Sequence, residues 1–386
     1  MLFTARKNIT TFDEDETISN KNPNPNPCCM ARHGTMLGRP IVVLISGFLE
    51  SGKDTAGNIL VKKYGFRRFA FADKLKDEVS TTYGLDRQTL DTPEGKRGFV
   101  NGQTVRSLLI SHGNFRRSQD INHWASLIGS EIIRGKYQRI VITDWRFPNE
   151  KVFLQHALPD FLVETWRIRR FEHSSVNDES ENALNDFSFD KHIDNTGISG
   201  GLSTFRKNVS FAARSLPLKW FLVDVDEVLL EWTSAFLQST TNAAKPPLRS
   251  PFDIDLVASF NQSNFFGNLQ PLDKAVDSLW KIRESGYVLV AVSACGDGNI
   301  SVQLRTRNLM EKFGDIFAEI ICLPLGATKV PVISSFPTKT TIFVDDVKRH
   351  VDEAFDAGYN AILLDRFSVS WPDVTAMVAS NPIDCL

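Results

Sequence analysis

Ile41-Val-Val-Leu-Ile-Ser46-Gly47-Phe-Leu-Glu-Ser-Gly52-Lys53-Asp54-Thr55 decides the fold of the first half of this chain. An unbroken apolar run meets a glycine turn, and a helix-forming stretch over 53–64 follows. A short strand apolar on every side chain belongs in a parallel sheet covered on both faces. Glycines at 47 and 52 leave backbone N–H groups free to wrap phosphate oxygens. The helix start adds positive potential, and Lys53 can reach a transferred phosphate. Gly47, Ser51, Gly52, Lys53, Asp54 and Thr55 are therefore the candidate nucleotide-binding residues.

Outward from this motif, strand and helix alternate. Strands are expected at 41–46, 139–143 and 161–167, with helices at 53–64, 73–82, 104–111, 120–134 and 149–156. Ser215-Leu-Pro-Leu218 then reads as a short linker, and the rhythm restarts. Further strands are expected at 219–223, 287–292, 316–322, 340–344 and 360–364, with helices at 271–285, 300–313 and 347–357. Residues 232–270, rich in Asn, Ser, Pro and Phe, interrupt the second series like a small cap. The stretch Asn22-Pro-Asn-Pro-Asn-Pro-Cys-Cys29 cannot build a core, so 1–38 read as a disordered tail, with Met36 as a candidate start. The expected domains are thus 39–214 and 219–386, each a three-layer α/β/α unit.

The second half opens on Lys219-Trp-Phe-Leu-Val-Asp224-Val-Asp226, an apolar strand ending in two carboxylates one residue apart. Side chains at that spacing on a strand face the same way. Ser293 ends a later strand, Lys329 precedes another, and Asp345-Asp346 end the strand 340–344. Lys339 lies too close to that strand to play the part given to Lys329. Cys295 has no histidine nearby in sequence and reads as loop filler.

Composition narrows the class. Hydrophobic residues make 42% of the chain and charged ones 23%, as in ordinary globular proteins. No apolar run approaches the roughly 20 residues of a membrane helix, and Asp13 to Glu16 breaks any leader-like core. The five cysteines show neither metal-ligand nor disulfide spacing, which suits a reducing cytoplasm. Residues 41–216 hold 25 lysines and arginines against 21 acids, whereas 217–386 hold 14 against 21. That acidic half would repel a long polynucleotide, so small nucleotides are the expected partners.

Two family resemblances sharpen these readings. Gly-Lys-Asp-Thr, with Asp54 where Ser or Thr commonly follows the lysine, resembles the deoxynucleoside monophosphate kinases of tailed phages, adenylate-kinase-like P-loop proteins. The resemblance continues in order through Phe71-Ala-Asp-Lys-Leu-Lys76, Thr104-Val-Arg-Ser-Leu-Leu109 and Ile140-Val-Ile-Thr-Asp-Trp-Arg-Phe-Pro-Asn-Glu150. It ends on Ser180-Glu181, Leu184, Asp190, Ile193 and Asn195. It implies ATP as phosphate donor, Asp144 at magnesium, and Asp73 and Lys74 at the acceptor nucleotide. Arg106 and Arg146 are candidates for the acceptor phosphate, because arginine pairs phosphate in bidentate fashion. Arg167, Arg169 and Arg170 would form a lid, with His173 and Glu181 in structural roles nearby. If the chain is viral, the compartment is the host cytoplasm.

The second half resembles the haloacid dehalogenase superfamily of phosphatases, loosely its small-cap deoxyribonucleotide 5′-nucleotidases. That resemblance implies Asp224 as nucleophile, Asp226 as proton donor, Ser293 on the phosphate and Lys329 neutralising it. It implies Mg²⁺ held among Asp224, Asp226, Asp345 and Asp346. Glu227-Val228 stand where Gly-Thr is usual, which puts the cap placement in question. The leading expectation is a bifunctional nucleotide enzyme. The alternatives are a polynucleotide end-healing kinase/3′-phosphatase, and one active domain joined to a docking module.

Overall fold

The computed structural model describes residues 39–170, 179–197, 201–241, 253–365 and 368–380. The expected tail, His173 of the lid and residues 242–252 of the expected cap fall outside them, as does the side chain of Glu181.

Among the described residues twelve strands run in chain order. They are β1 (Ile41–Ser46), β2 (Arg67–Phe69), β3 (Phe99–Val100), β4 (Gln103–Thr104), β5 (Arg139–Ile142) and β6 (Leu162–Arg169). β7 (Lys191–Asp194), β8 (Trp220–Asp224), β9 (Val288–Ser293), β10 (Phe317–Cys322), β11 (Thr341–Asp345) and β12 (Asn360–Leu363) follow. Two five-stranded sheets result, ordered β2-β5-β1-β6-β7 and β10-β9-β8-β11-β12. Every pairing within them is parallel. Helices flank each sheet, so the chain folds as two α/β layers of the expected class. β3 and β4 form a separate hairpin, closed by Asn101 and Gly102, both at positive φ as a two-residue turn requires.

Chemistry gathers where it does because of strand order. β1 and β8 are the central strands of their sheets, and all their residues are buried. In an open parallel sheet, the crevice lies beyond the carboxyl ends of the strands where the order reverses. Both motifs read from sequence emerge at those two ends.

The connection over 215–218 is packed rather than loose. Leu216 and Leu218 are buried in one apolar cluster with Ile41, Val43, Leu60 and Tyr64 of the first half and Trp220, Val290, Phe336 and Phe343 of the second. Tyr64 meets the edge of Trp220 at 6.0 Å between ring centroids. Around this seam Arg214 forks onto Glu319, with Nη2 to Oε2 at 2.5 Å and Nε to the same oxygen at 3.2 Å. The Tyr64 hydroxyl donates to Glu319 at 3.3 Å, and burial raises its pKa. Lys63 pairs with Asp315 at 2.5 Å. Removing one partner of a largely buried pair strands the other charge. Arg214→Met should therefore lower stability by about 3 kcal/mol, read as a fall in the urea midpoint with unchanged slope.

Candidate active sites

The glycine loop is held from several sides. A Cβ on Gly47 would stand 2.5 Å from Ser51 Oγ and 2.8 Å from the Ile168 carbonyl, so only glycine fits there. Gly52, at φ 104°, caps the helix Lys53–Tyr64. Asn195, one of the residues in the kinase resemblance, donates from Nδ2 to the Ser51 carbonyl at 2.7 Å. Ser51 Oγ is buried with no hydrogen-bond partner among the described residues. Lys53 Nζ donates to the carbonyls of Gly47 and Phe48, both at 2.7 Å, and so lies folded over the loop. An orphan hydroxyl and a crowded cradle suit a phosphate chain.

Two of the three lid arginines reach this loop. Arg170 donates to the Glu50 carbonyl at 2.8 Å. Arg167 donates to Ser46 Oγ at 3.0 Å and lies over the Phe48 ring at 4.6 Å. Arg169 is exposed.

The acceptor residues are more dispersed than the sequence reading expected. Asp54 accepts from Thr143 Oγ1 at 3.0 Å and from Arg68 at 3.3 Å. Arg68 also pairs with Asp73 at 3.1 Å, so one guanidinium bridges the phosphate loop to the expected acceptor site. The sequence reading missed Arg68, which sits on an edge strand of three residues with no motif around it. Lys74 does not join Asp73; its ammonium pairs with Glu131 on the helix His123–Gly135. Arg106 is exposed one residue into the helix Val105–Gln119, and Arg146 donates to Ser180 Oγ at 2.8 Å.

Asp144 accepts from the backbone N–H groups of Phe71 and Ala72 at 2.9 and 2.8 Å, so it caps the helix Phe71–Tyr83. Burial raises its pKa despite those bonds. Lone pairs remain for a cation, but Asp144 belongs to no cluster of three ligating groups among the described residues.

At the end of β8 the groups converge. Asp224, Asp345 and Asp346 offer carboxylate oxygens that all lie within 4.8 Å of one another. Lys329 is buried, 2.5 Å from Asp224 and 2.7 Å from Asp345. Asp345 also accepts from the Val347 N–H at 2.8 Å and faces His350 Nδ1 at 3.2 Å. Burial opposes its ionisation, yet the His350 contact and the Lys329 charge hold its pKa below the usual range. Burial pushes Asp224 up to about 8, against the pull of Lys329. Burial and the charge of Asp345 push Asp346 up to about 6. Three crowded carboxylates with hard oxygen donors fit a magnesium ion, whose charge would return Asp224 and Asp346 to their ionised forms.

Ser293, ending β9, is wholly buried, and its Oγ has no oxygen or nitrogen partner among the described residues, with the Cys295 sulfur beside it. A buried hydroxyl at a strand end can donate to a phosphate oxygen. The carboxylate of Asp226 stands outside the acidic cluster. It lies past the end of β8, where the strand-like alternation no longer holds, and pairs with Arg305. Of the four acids expected at the metal, Asp224, Asp345 and Asp346 are the three brought together.

Glu227 stands where a glycine is usual. It adopts φ 61°, the left-handed conformation glycine usually supplies, and its Oε1 accepts from the Thr233 N–H at 2.6 Å. That bond caps the helix Trp232–Thr241, at the start of the expected cap. Trp232, Phe236, Phe260 and Phe266 pack there as an aromatic cluster. Asn261 ties it to the β9 loop by accepting from Trp232 Nε1 and donating to the Cys295 carbonyl, both at 3.0 Å. Cys295 is itself buried, and its neighbour Cys322 draws its thiol pKa down to about 6. It is a buried group in the loop after β9.

No family model matches the chain, and no curated protein matches it. Among solved structures, a dehalogenase with intermediate complex aligns at 10% identity and a TM-score of 0.32, covering 42% of this chain and 98% of its own. A HAD family hydrolase from Deinococcus radiodurans R1, with bound phosphate and sodium, aligns at 14% identity and 0.30, covering 43% and 97%. The Pnkp1/Rnl/Hen1 RNA repair complex aligns at 10% identity and 0.27, covering 84% and 95%. Similarities this distant leave the roles to be argued from the residues. Among the described residues no helix is long and apolar enough to cross a membrane.

Proposed function

We propose that the chain is a bifunctional nucleotide enzyme. Its first half, over 39–214, phosphorylates nucleoside or deoxynucleoside monophosphates with ATP. Its second half, over 219–386, hydrolyses phosphate monoesters with magnesium. The observation that carries the reading is the set of buried Asp224, Lys329 and Asp345 with half-buried Asp346, and the buried Ser293 hydroxyl on the neighbouring strand.

In the phosphatase half, Asp224 attacks phosphorus and the ester oxygen leaves with the bonding pair, taking a proton from Asp226. Water then cleaves the aspartyl-phosphate and returns a proton to Asp226. Lys329 and Ser293 hold the phosphoryl oxygens. Asp224, Asp345 and Asp346 would hold magnesium, which when bound would supply positive charge to the transferring group. Excess EDTA should abolish hydrolysis and added magnesium restore it, measured as phosphate release. A chelation-resistant phosphatase would remove the acidic cluster from the mechanism. In the kinase half, Lys53, Arg167 and Arg170 surround the loop where the donor phosphates would lie and would neutralise charge there.

The deciding experiment runs both reactions over one substrate panel. It contains ribo- and deoxyribonucleoside monophosphates, and oligonucleotides with 5′-hydroxyl or 3′-phosphate ends. Mononucleotides should be the better substrates by kcat/KM. Two sites sharing one preference would only waste ATP, so their preference orders should differ. Strong preference for oligonucleotide ends would instead establish end healing.

A further inference from the structure

Arg305 lies on the helix Asn299–Phe313 with its side chain wholly buried. Its Nη2 pairs with Asp226, and its guanidinium stacks over the Phe266 ring, 4.2 Å from the centroid. Nε and Nη1 are buried with no oxygen acceptor among the described residues, and the Cys295 sulfur lies close by. A charge buried with no oxygen acceptor on two of its three nitrogens is costly, and packing alone would be better served by an apolar side chain.

The cost falls at a junction of three segments. Asp226 belongs to the turn after β8, Phe266 to the cap, and Arg305 to the helix that follows the Ser293 loop. We propose that Arg305 is a positioning residue that fixes the Asp226 carboxylate for proton transfer to and from the ester oxygen, with Phe266 of the cap setting its plane. This rests on the phosphatase reading above. The geometry also explains why Asp226 stands apart from Asp224, Asp345 and Asp346: its only ion-pair partner among the described residues is Arg305. A planar guanidinium clamped against a ring can turn little, so it fixes the direction of the carboxylate it holds.

The test compares esters with poor and good leaving groups on the full-length protein. A nucleoside 5′-monophosphate loses an alkoxide that needs a proton. 4-Nitrophenyl phosphate loses a stable phenolate that does not. Arg305→Met should lower kcat on the nucleotide by about 10²-fold, the scale of lost general acid catalysis or of an approximately 1 Å misplacement. On 4-nitrophenyl phosphate the loss should stay several-fold. Arg305→Lys should recover part of the nucleotide rate. The double variant Arg305→Met/Asp226→Asn should be no slower than Asp226→Asn alone. Equal losses on both esters, or losses that multiply in the double variant, would overturn the positioning role. If Arg305→Met fails to fold, Arg305→Lys carries the same leaving-group comparison. An unaltered chain that hydrolyses neither ester would instead defeat the phosphatase reading itself.

Discussion

Asp224→Asn lowers phosphate-ester hydrolysis by about 10⁴-fold or more, the scale of deleting a covalent nucleophile. The amide cannot attack phosphorus, and it withdraws one of the three clustered carboxylates from the metal. It also leaves buried Lys329 with Asp345 as its one remaining anion, of the two it now contacts. The fold should survive, since an asparagine of the same shape still accepts from the lysine. ATP-dependent phosphorylation should continue at its original rate, because Asp224 pairs with Lys329 and clusters with Asp345 and Asp346, all in the second half. Release of inorganic phosphate and transfer of labelled phosphate from ATP, measured on one preparation, check both statements. Hydrolysis persisting within tenfold of the original rate would mean that Asp224 is not the nucleophile.

Lys53→Ala should have the converse effect, an approximately 10³-fold or larger loss of phosphate transfer with hydrolysis retained. A preorganised charge at the transferring phosphoryl group is worth about that much. Lys53 now donates to two carbonyls of the loop it follows, so its removal also loosens the cradle. Nucleotide affinity should therefore fall along with the rate. Equilibrium binding of ATP separates the two effects. A variant that binds ATP normally and still transfers phosphate would exclude this loop as the donor site.

Much of the fold is legible in the sequence because its central strands are apolar on every side chain up to their last residues, Ser46 and Asp224. The run at 41–46 and the helix at 53–64 match β1 and the helix Lys53–Tyr64 residue for residue. Arg67–Phe69 and Lys191–Asp194 gave no such signal. They are short edge strands carrying Arg, Lys, His and Asp, and the neighbouring strand, not their own pattern, makes them β-structure. The helix read as 104–111 runs to Gln119, since polar residues after Ser111 hid its length. Asp224, Ser293, Lys329, Asp345 and Asp346 could be picked out because each sits at, or just before, a strand that sequence can place. Arg68 and Arg305 could not. Each acts through a partner distant in sequence, Asp54 and Asp73 in one case and Asp226 in the other, and no local spacing announces such pairs.

The seam between the halves bears on how such a chain can be inherited. Leu216, Leu218 and Trp220 are interior residues, and the cluster that holds them draws on both sheets. A gene fragment encoding either half alone would specify a protein with a raw face of valine, leucine and tryptophan. Such a face invites aggregation. Packing keeps the two halves in one polypeptide: a point mutation in either is cheap, whereas losing a whole half is not.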